Sequence, residues 1–119
     1  MNNSPVVLIN VFTVDPARQS QLVELLTHAT ESSVRHVPGF ISATLHRSLD
    51  GTKVTMYGVW QSNDAYQAMR RDPAPLPYLQ QALEIATFEP GMYEVVEMFL
   101  PGTAQRIGTH DHQTENLPE

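Results

Sequence analysis

The chain contains no cysteine. That removes disulfides, a thiol nucleophile and any cysteine-held metal site, and it suits a cytoplasmic protein. No apolar run approaches the roughly 18 residues a membrane helix needs. The opening, MNNSPVVLIN, has neither the basic nor the apolar segment of a secretion signal. Basic residues are scarce. Seven Lys and Arg stand against 13 Asp and Glu, a formal net charge of −6. A nucleic-acid binder carries a basic stripe, but the one basic run here is Arg70-Arg71, followed at once by Asp72. Nucleic acid and membrane are therefore discounted as partners. There is no glycine-rich phosphate loop and no constellation of metal ligands, so neither a metal nor a cofactor is expected. His110-Asp111-His112 has too little around it to hold a metal geometry.

What is present suits one domain of 119 residues. The central stretch is Gly39 to Trp60, GFISATLHRSLDGTKVTMYGVW. Residues Ile41–Ser48 and Lys53–Trp60 alternate, and Asp50-Gly51 between them favours a two-residue type I′ hairpin turn. Counting outward pairs Leu45 with Met56, Ala43 with Gly58 and Ile41 with Trp60. These share one face, while Ser42, Thr44, His46, Thr55, Tyr57 and Val59 share the other. Ala43 opposite Gly58 leaves a gap walled by Met56 and Trp60. Such a slot suits a flat apolar ligand, or else a helix packs close and fills it.

Before the hairpin, Pro5–Val14 reads as a strand covered on both faces, interrupted by Asn10. A buried amide needs partners, either in its own neighbourhood or in a ligand pocket. Asp15-Pro16 starts a helix expected to reach His36, with Leu22, Leu25, Leu26, Ala29 and Ser33 as its buried stripe. After the hairpin, Ser62 or Asn63 caps a second helix that turns Tyr66 and Met69 toward the sheet. Pro73, Pro75 and Pro77 mark a rigid connector. A short helix over Tyr78–Ala86, a turn at Glu89-Pro90-Gly91 and a last strand over Met92–Leu100 follow. Residues 1–100 form the expected domain, and 101–119 a polar tail, mobile or packed on a neighbouring subunit.

The order strand, helix, strand, strand, helix, strand predicts an α+β fold. It is the ferredoxin-like split βαβ, a four-stranded antiparallel sheet with helices on one face. The bare face is too apolar for water, which predicts a homodimer closing a dimeric α+β barrel. The first and third strands are neighbours in this fold, so Asn10 and Trp60 should sit side by side.

With these residues assembled, Val6 to Phe99 resembles the antibiotic biosynthesis monooxygenase family. The strongest stretch is PGFISATLHRSLDGTKVTMYGVWQSNDAY, and INVFTV around Asn10 is also similar. The resemblance implies a cofactor-independent monooxygenase that oxidises an anthrone- or phenol-type polyketide intermediate to a quinone with O2. It implies catalytic roles for Asn10 and Trp60, with Tyr66 and His46 lining the pocket and able to carry protons. Ala43, Leu45, Met56, Tyr57, Gly58 and Met69 are the expected substrate-binding residues. Counting places His46 and Tyr57 on the face away from Trp60, so they reach the pocket only if the sheet curls or a bulge shifts the register. The family often has a second Asn where this chain has Met56, and its pocket Arg has no matched counterpart. A non-oxidative binding or cyclase-type module is the alternative. A heme-degrading monooxygenase is a third, but it needs a ligating His where Ala82 stands.

Overall fold

The structure, a computed structural model, describes residues 4–102. It contains β1 (Val6–Val14), α1 (Gln19–Ser32), β2 (Phe40–Arg47), β3 (Lys53–Trp60), α2 (Asn63–Arg70), α3 (Leu76–Ile85), β4 (Ala86–Glu89) and β5 (Met92–Tyr93). The sheet order is β2-β3-β1-β4, with β5 also on β1, and every pairing is antiparallel. This is the ferredoxin-like arrangement, with the helices packed on one face. No helix among the described residues is long and apolar enough to cross a membrane. The expected tail beyond residue 102, with its His110-Asp111-His112 run, lies outside the described residues.

The hairpin keeps the expected register around a different turn. Leu45 pairs with Met56 and Ala43 with Gly58. However, Ser48 N–H donates to Lys53 O (2.9 Å), and Gly51 N–H donates back to Ser48 O (3.2 Å). The loop is therefore residues 49–52, not Asp50-Gly51 alone. Only Gly51 takes a positive φ (85°), so the turn is not type I′. A four-residue loop centred on the same dipeptide preserves the pairing. Asp50 locks it, accepting from Thr52 Oγ1 (2.7 Å), Thr52 N–H (3.0 Å) and Ser48 Oγ (2.8 Å).

At the far end the register slips. Phe40, not Ile41, faces Trp60, because Ile41 is the extra residue of a bulge. Gly39, at φ 91°, immediately precedes this strand, and a Cβ there would collide with that of Ala65.

The last strand also differs from expectation. Its main piece, Ala86–Glu89, pairs with Val11–Val14 and stacks Phe88 on Phe12 (4.7 Å between centroids). β5 continues the same register, Met92 with Leu8 and Tyr93 with Val7. The two pieces are one edge strand broken at Pro90-Gly91, where Pro90 has no N–H to donate. Past Tyr93 the same register reaches only Val6, the first residue of β1, and residues 94–100 make no strand in this chain.

The first helix is shorter than expected. A 3-10 turn at Pro16–Arg18 precedes α1 and another at Val34–His36 follows it. Thr30 and Ser33 hydroxyls bond back to the carbonyls of Leu26 and Ala29, offering the backbone an alternative to continued helix. α2 is capped by Ser62, which accepts from Ala65 N–H at 3.1 Å. α3 begins at Leu76, inside the proline-rich connector, with Pro77 in its first turn where no N–H is needed.

Gln19 belongs to the buried face of α1, which its polarity concealed. Its Nε2 donates to Ser48 O (3.1 Å) and Lys53 O (3.0 Å), fastening the helix to the hairpin neck. Gln19→Ala should lower unfolding free energy by about 1–3 kcal/mol, measured by denaturant melts.

The Asp50 carboxyl is held down from its ordinary 3.8 to about 2, first by the Thr52 hydroxyl, then by the Thr52 N–H and the Ser48 hydroxyl. A depressed folded value adds stability that is present above the unfolded value and lost as pH falls through the folded one. Wild type should therefore lose stability between about pH 4 and pH 2, and Asp50→Asn should flatten that part of the profile.

Candidate active site

β1 and β3 turn alternate side chains toward the helices. Phe12, Val14, Leu22, Leu26, Val54 and Ala82 form one apolar cluster, and Leu8, Trp60 and Tyr66 form a second. Members of both line a cavity of about 330 Å³. That is the size of a small-molecule site, roughly 300–1,000 Å³. The sheet supplies its floor: Leu8, Asn10, Ala43, Met56 and Gly58. Helix α1 adds Leu26 and Ala29, and α2 adds Tyr66, Met69 and Arg70.

The gap opposite Ala43 is part of this cavity and is not filled by a helix. A Cβ built on Gly58 would meet the Trp60 indole Nε1 at 3.8 Å and Leu8 Cβ at 4.0 Å. The indole therefore leans back over Gly58 and brings its N–H toward the middle of the sheet. Trp60 is 2% exposed, held edge-on by Phe40 (5.3 Å, 80°) and Tyr66 (6.1 Å, 61°).

Asn10 is level with Met56 on β3. On its other side, Val11 pairs with Glu89 and Leu8 with Met92, which sets Asn10 level with Pro90. Neither neighbouring side chain can donate a conventional hydrogen bond. Asn10 Oδ1 is buried and has no partner among the described residues. Such an orphan costs about 1–3 kcal/mol and calls for an explanation. Asn10 and Trp60 are not side by side, because Trp60 is level with Val6. They share one face two pairs apart, with Gly58 and Leu8 between them, and both line the cavity.

Tyr66 follows the Ser62 cap and is 7% exposed. Arg70, one turn later on the same helix face, places its guanidinium 6.0 Å from the Tyr66 ring centroid. Sequence alone set Arg70 aside; its spacing of four from Tyr66 was the signal that could have found it.

The expected site residues divide as follows. Asn10, Trp60, Tyr66, Ala43, Met56, Gly58 and Met69 line the cavity. Leu45 packs on the Phe12 cluster instead. His46 and Tyr57 lie on the opposite face of the sheet, as counting required. The bulge at Ile41 lies beyond both and does not turn them inward. His46 is exposed, with Nδ1 3.4 Å from Thr55 O. Ala82, where a heme-degrading enzyme would need its ligating His, is fully buried in the Phe12 cluster.

The family model for antibiotic biosynthesis monooxygenase matches residues 5–76. The chain belongs to the antibiotic biosynthesis monooxygenase family. The tetracenomycin-F1 monooxygenase of Streptomyces glaucescens is 39% identical to this family member over 92 residues, covering 77% of this chain and 82% of that protein. Among solved structures, the ActVA-Orf6 monooxygenase of Streptomyces coelicolor, in complex with nanaomycin D, is 33% identical with a TM-score of 0.73, over 83% of this chain and 94% of that one. A mutant of SnoaB, a cofactor-independent oxygenase from Streptomyces nogalater, is 26% identical with a TM-score of 0.70, over 82% and 98%. This antibiotic biosynthesis monooxygenase is thus an enzyme.

The slot makes a graded prediction. At Gly58 an alanine methyl meets only ordinary contacts, so Gly58→Ala should cost less than about 1 kcal/mol. Gly58→Leu would push its side chain into the cavity. Flat aromatic ligands should then bind at least about tenfold more weakly, read by quenching of Trp60 fluorescence.

Proposed function

We propose that the cavity binds an anthrone- or phenol-type ring of an aromatic polyketide and that the chain oxidises it to a quinone with O2, using no cofactor. The observation that carries this is the unpartnered Asn10 oxygen on the floor of an apolar cavity that a buried indole also lines. The names of the relatives, a tetracenomycin-F1 monooxygenase and an oxygenase described as cofactor-independent, support it.

Reaction of a singlet ring with triplet oxygen is spin-restricted. A ring that loses a proton becomes an electron donor and can reduce O2 by itself. The protein then binds the ring, stabilises its anion and keeps the pocket dry. The Asn10 amide holds the ring oxygen, accepting from its O–H and donating to the anion. Trp60 and the Gly58 gap position the ring plane. Tyr66 is the proton carrier, since it reaches the cavity and His46 does not. Radical recombination forms a C–O bond, giving a hydroperoxide. Loss of water leaves the new carbonyl, so that CH2 and O2 become C=O and H2O.

The working form is a homodimer. Val95, Val96 and Phe99 are 62–85% exposed just after β1 runs out, and a second copy is the cover their apolar surface asks for. Sedimentation should give twice the 13.3 kDa chain mass; a monomer at working concentration would contradict this.

Oxygen uptake with a simple anthrone, read beside quinone absorbance, tests the chemistry. Asn10→Ala should lower kcat/KM about 100-fold and Trp60→Phe about tenfold. Rates within twofold of wild type in both would overturn the proposal. Ring binding without uptake would favour a non-oxidative binding role.

A further inference from the structure

Two thioethers line the cavity, Met56 on its floor and Met69 on its α2 side. Met56 is level with Asn10 across the β1–β3 pair, and both residues line the cavity. Directly opposed side chains on one face of a sheet hold their β-carbons about 4.5–5.5 Å apart. A methionine side chain is long, unbranched and flexible, so its sulfur can reach what the Asn10 amide holds. Met69 packs instead on the Trp60 cluster, and Trp60 stands two same-face pairs further along the sheet. The chain has no cysteine, so methionine holds the only sulfur that can take up an oxygen atom.

We propose that Met56 is an oxidation site built into the cavity: a hydroperoxide held there passes its outer oxygen to the Met56 sulfur, and the sulfoxide shuts the site down. This rests on the reading of the cavity as a ring site in which a hydroperoxide forms. The sulfur lone pair attacks the outer oxygen of R–O–OH. The S–O bond forms as the O–O bond breaks. Sulfur gives up two electrons and the peroxide takes them. The outer proton moves to the departing oxygen, which leaves as R–OH. This step competes with the loss of water that yields the quinone, and each event consumes one methionine. The sulfoxide turns an apolar side chain into a polar one. Its oxygen accepts from the Asn10 amide N–H groups and so competes with the ring anion for them.

Peptide mass spectrometry after reaction locates the added oxygen. The probes are cumene hydroperoxide, which is apolar and aromatic, hydrogen peroxide, and anthrone in air with catalase and superoxide dismutase present. Met92, 44% exposed, is the internal reference, whereas Met56 is only partly exposed. Hydrogen peroxide should oxidise Met92 first. Cumene hydroperoxide should reverse the order, with Met56 at least about threefold faster than Met92, and Gly58→Leu should abolish the reversal by filling the cavity. Anthrone turnover should oxidise Met56 in proportion to product. Met56→Leu keeps volume without sulfur, and it should complete at least about threefold more turnovers before losing half of its own initial rate.

Oxidation of Met92 ahead of Met56 by cumene hydroperoxide would overturn the proposal. So would oxygen added to Met69 or Trp60 in place of Met56. A Met56→Leu enzyme that fails after as few turnovers as wild type would overturn the shutdown. Preferred oxidation of Met56 by cumene hydroperoxide, with no oxygen uptake from anthrones, would overturn the oxidation chemistry and leave the Met56 site standing.

Discussion

An amide placed between two side chains that cannot satisfy it is the constraint on which the site depends. Asn10 sits on the central strand of the sheet, level with Met56 on one side and with Pro90 on the other. Its backbone is committed to the sheet, and its side chain faces the cavity with Oδ1 unpartnered. A folded protein tolerates such a group when surrounding structure over-determines it, and functional sites are where that tolerance collects. The broken edge strand contributes directly: Pro90 interrupts pairing at the level of Asn10 and also lines the cavity.

The surrounding packing keeps that amide from being covered. The helix layer closes on the sheet as two apolar clusters, one around Leu22 and Val54 and one around Trp60. Ala43 and Gly58 remove volume from the floor, and the indole leans over the glycine. Rigidity comes from the flanks. Gln19 ties α1 to the hairpin neck, and the Ser62 cap sets the phase of α2, which then delivers Tyr66, Met69 and Arg70 to one side. Secondary-structure elements thereby hold the polar groups of the site in place, as precise positioning requires.

Much of this was legible in the sequence, for identifiable reasons. Alternation fixed the faces of β2 and β3, and the Asp50-Gly51 centre fixed their register even though the loop is longer than two residues. His46 and Tyr57 fell on the outer face by the same counting, and the counting outweighed the family resemblance. The Ile41 bulge was not legible, because an inserted residue leaves no mark in a β-branched run. β4 was hidden because Ala86-Thr87-Phe88-Glu89 follows a helix without a break and ends at a proline. Gln19 and Arg70 were hidden for the opposite reason. Each is a polar residue whose role depends on what the fold brings opposite it.

The central claim is that a ring is oxidised at the Asn10 end of the cavity. A crystal structure with a bound anthraquinone product tests it most directly. The account predicts the ring over Gly58 and beside the Trp60 indole, with a quinone oxygen in hydrogen-bonding reach of the Asn10 amide. A product bound on the outer face of the sheet beside His46, or one in the cavity with its oxygens turned away from Asn10, would contradict it.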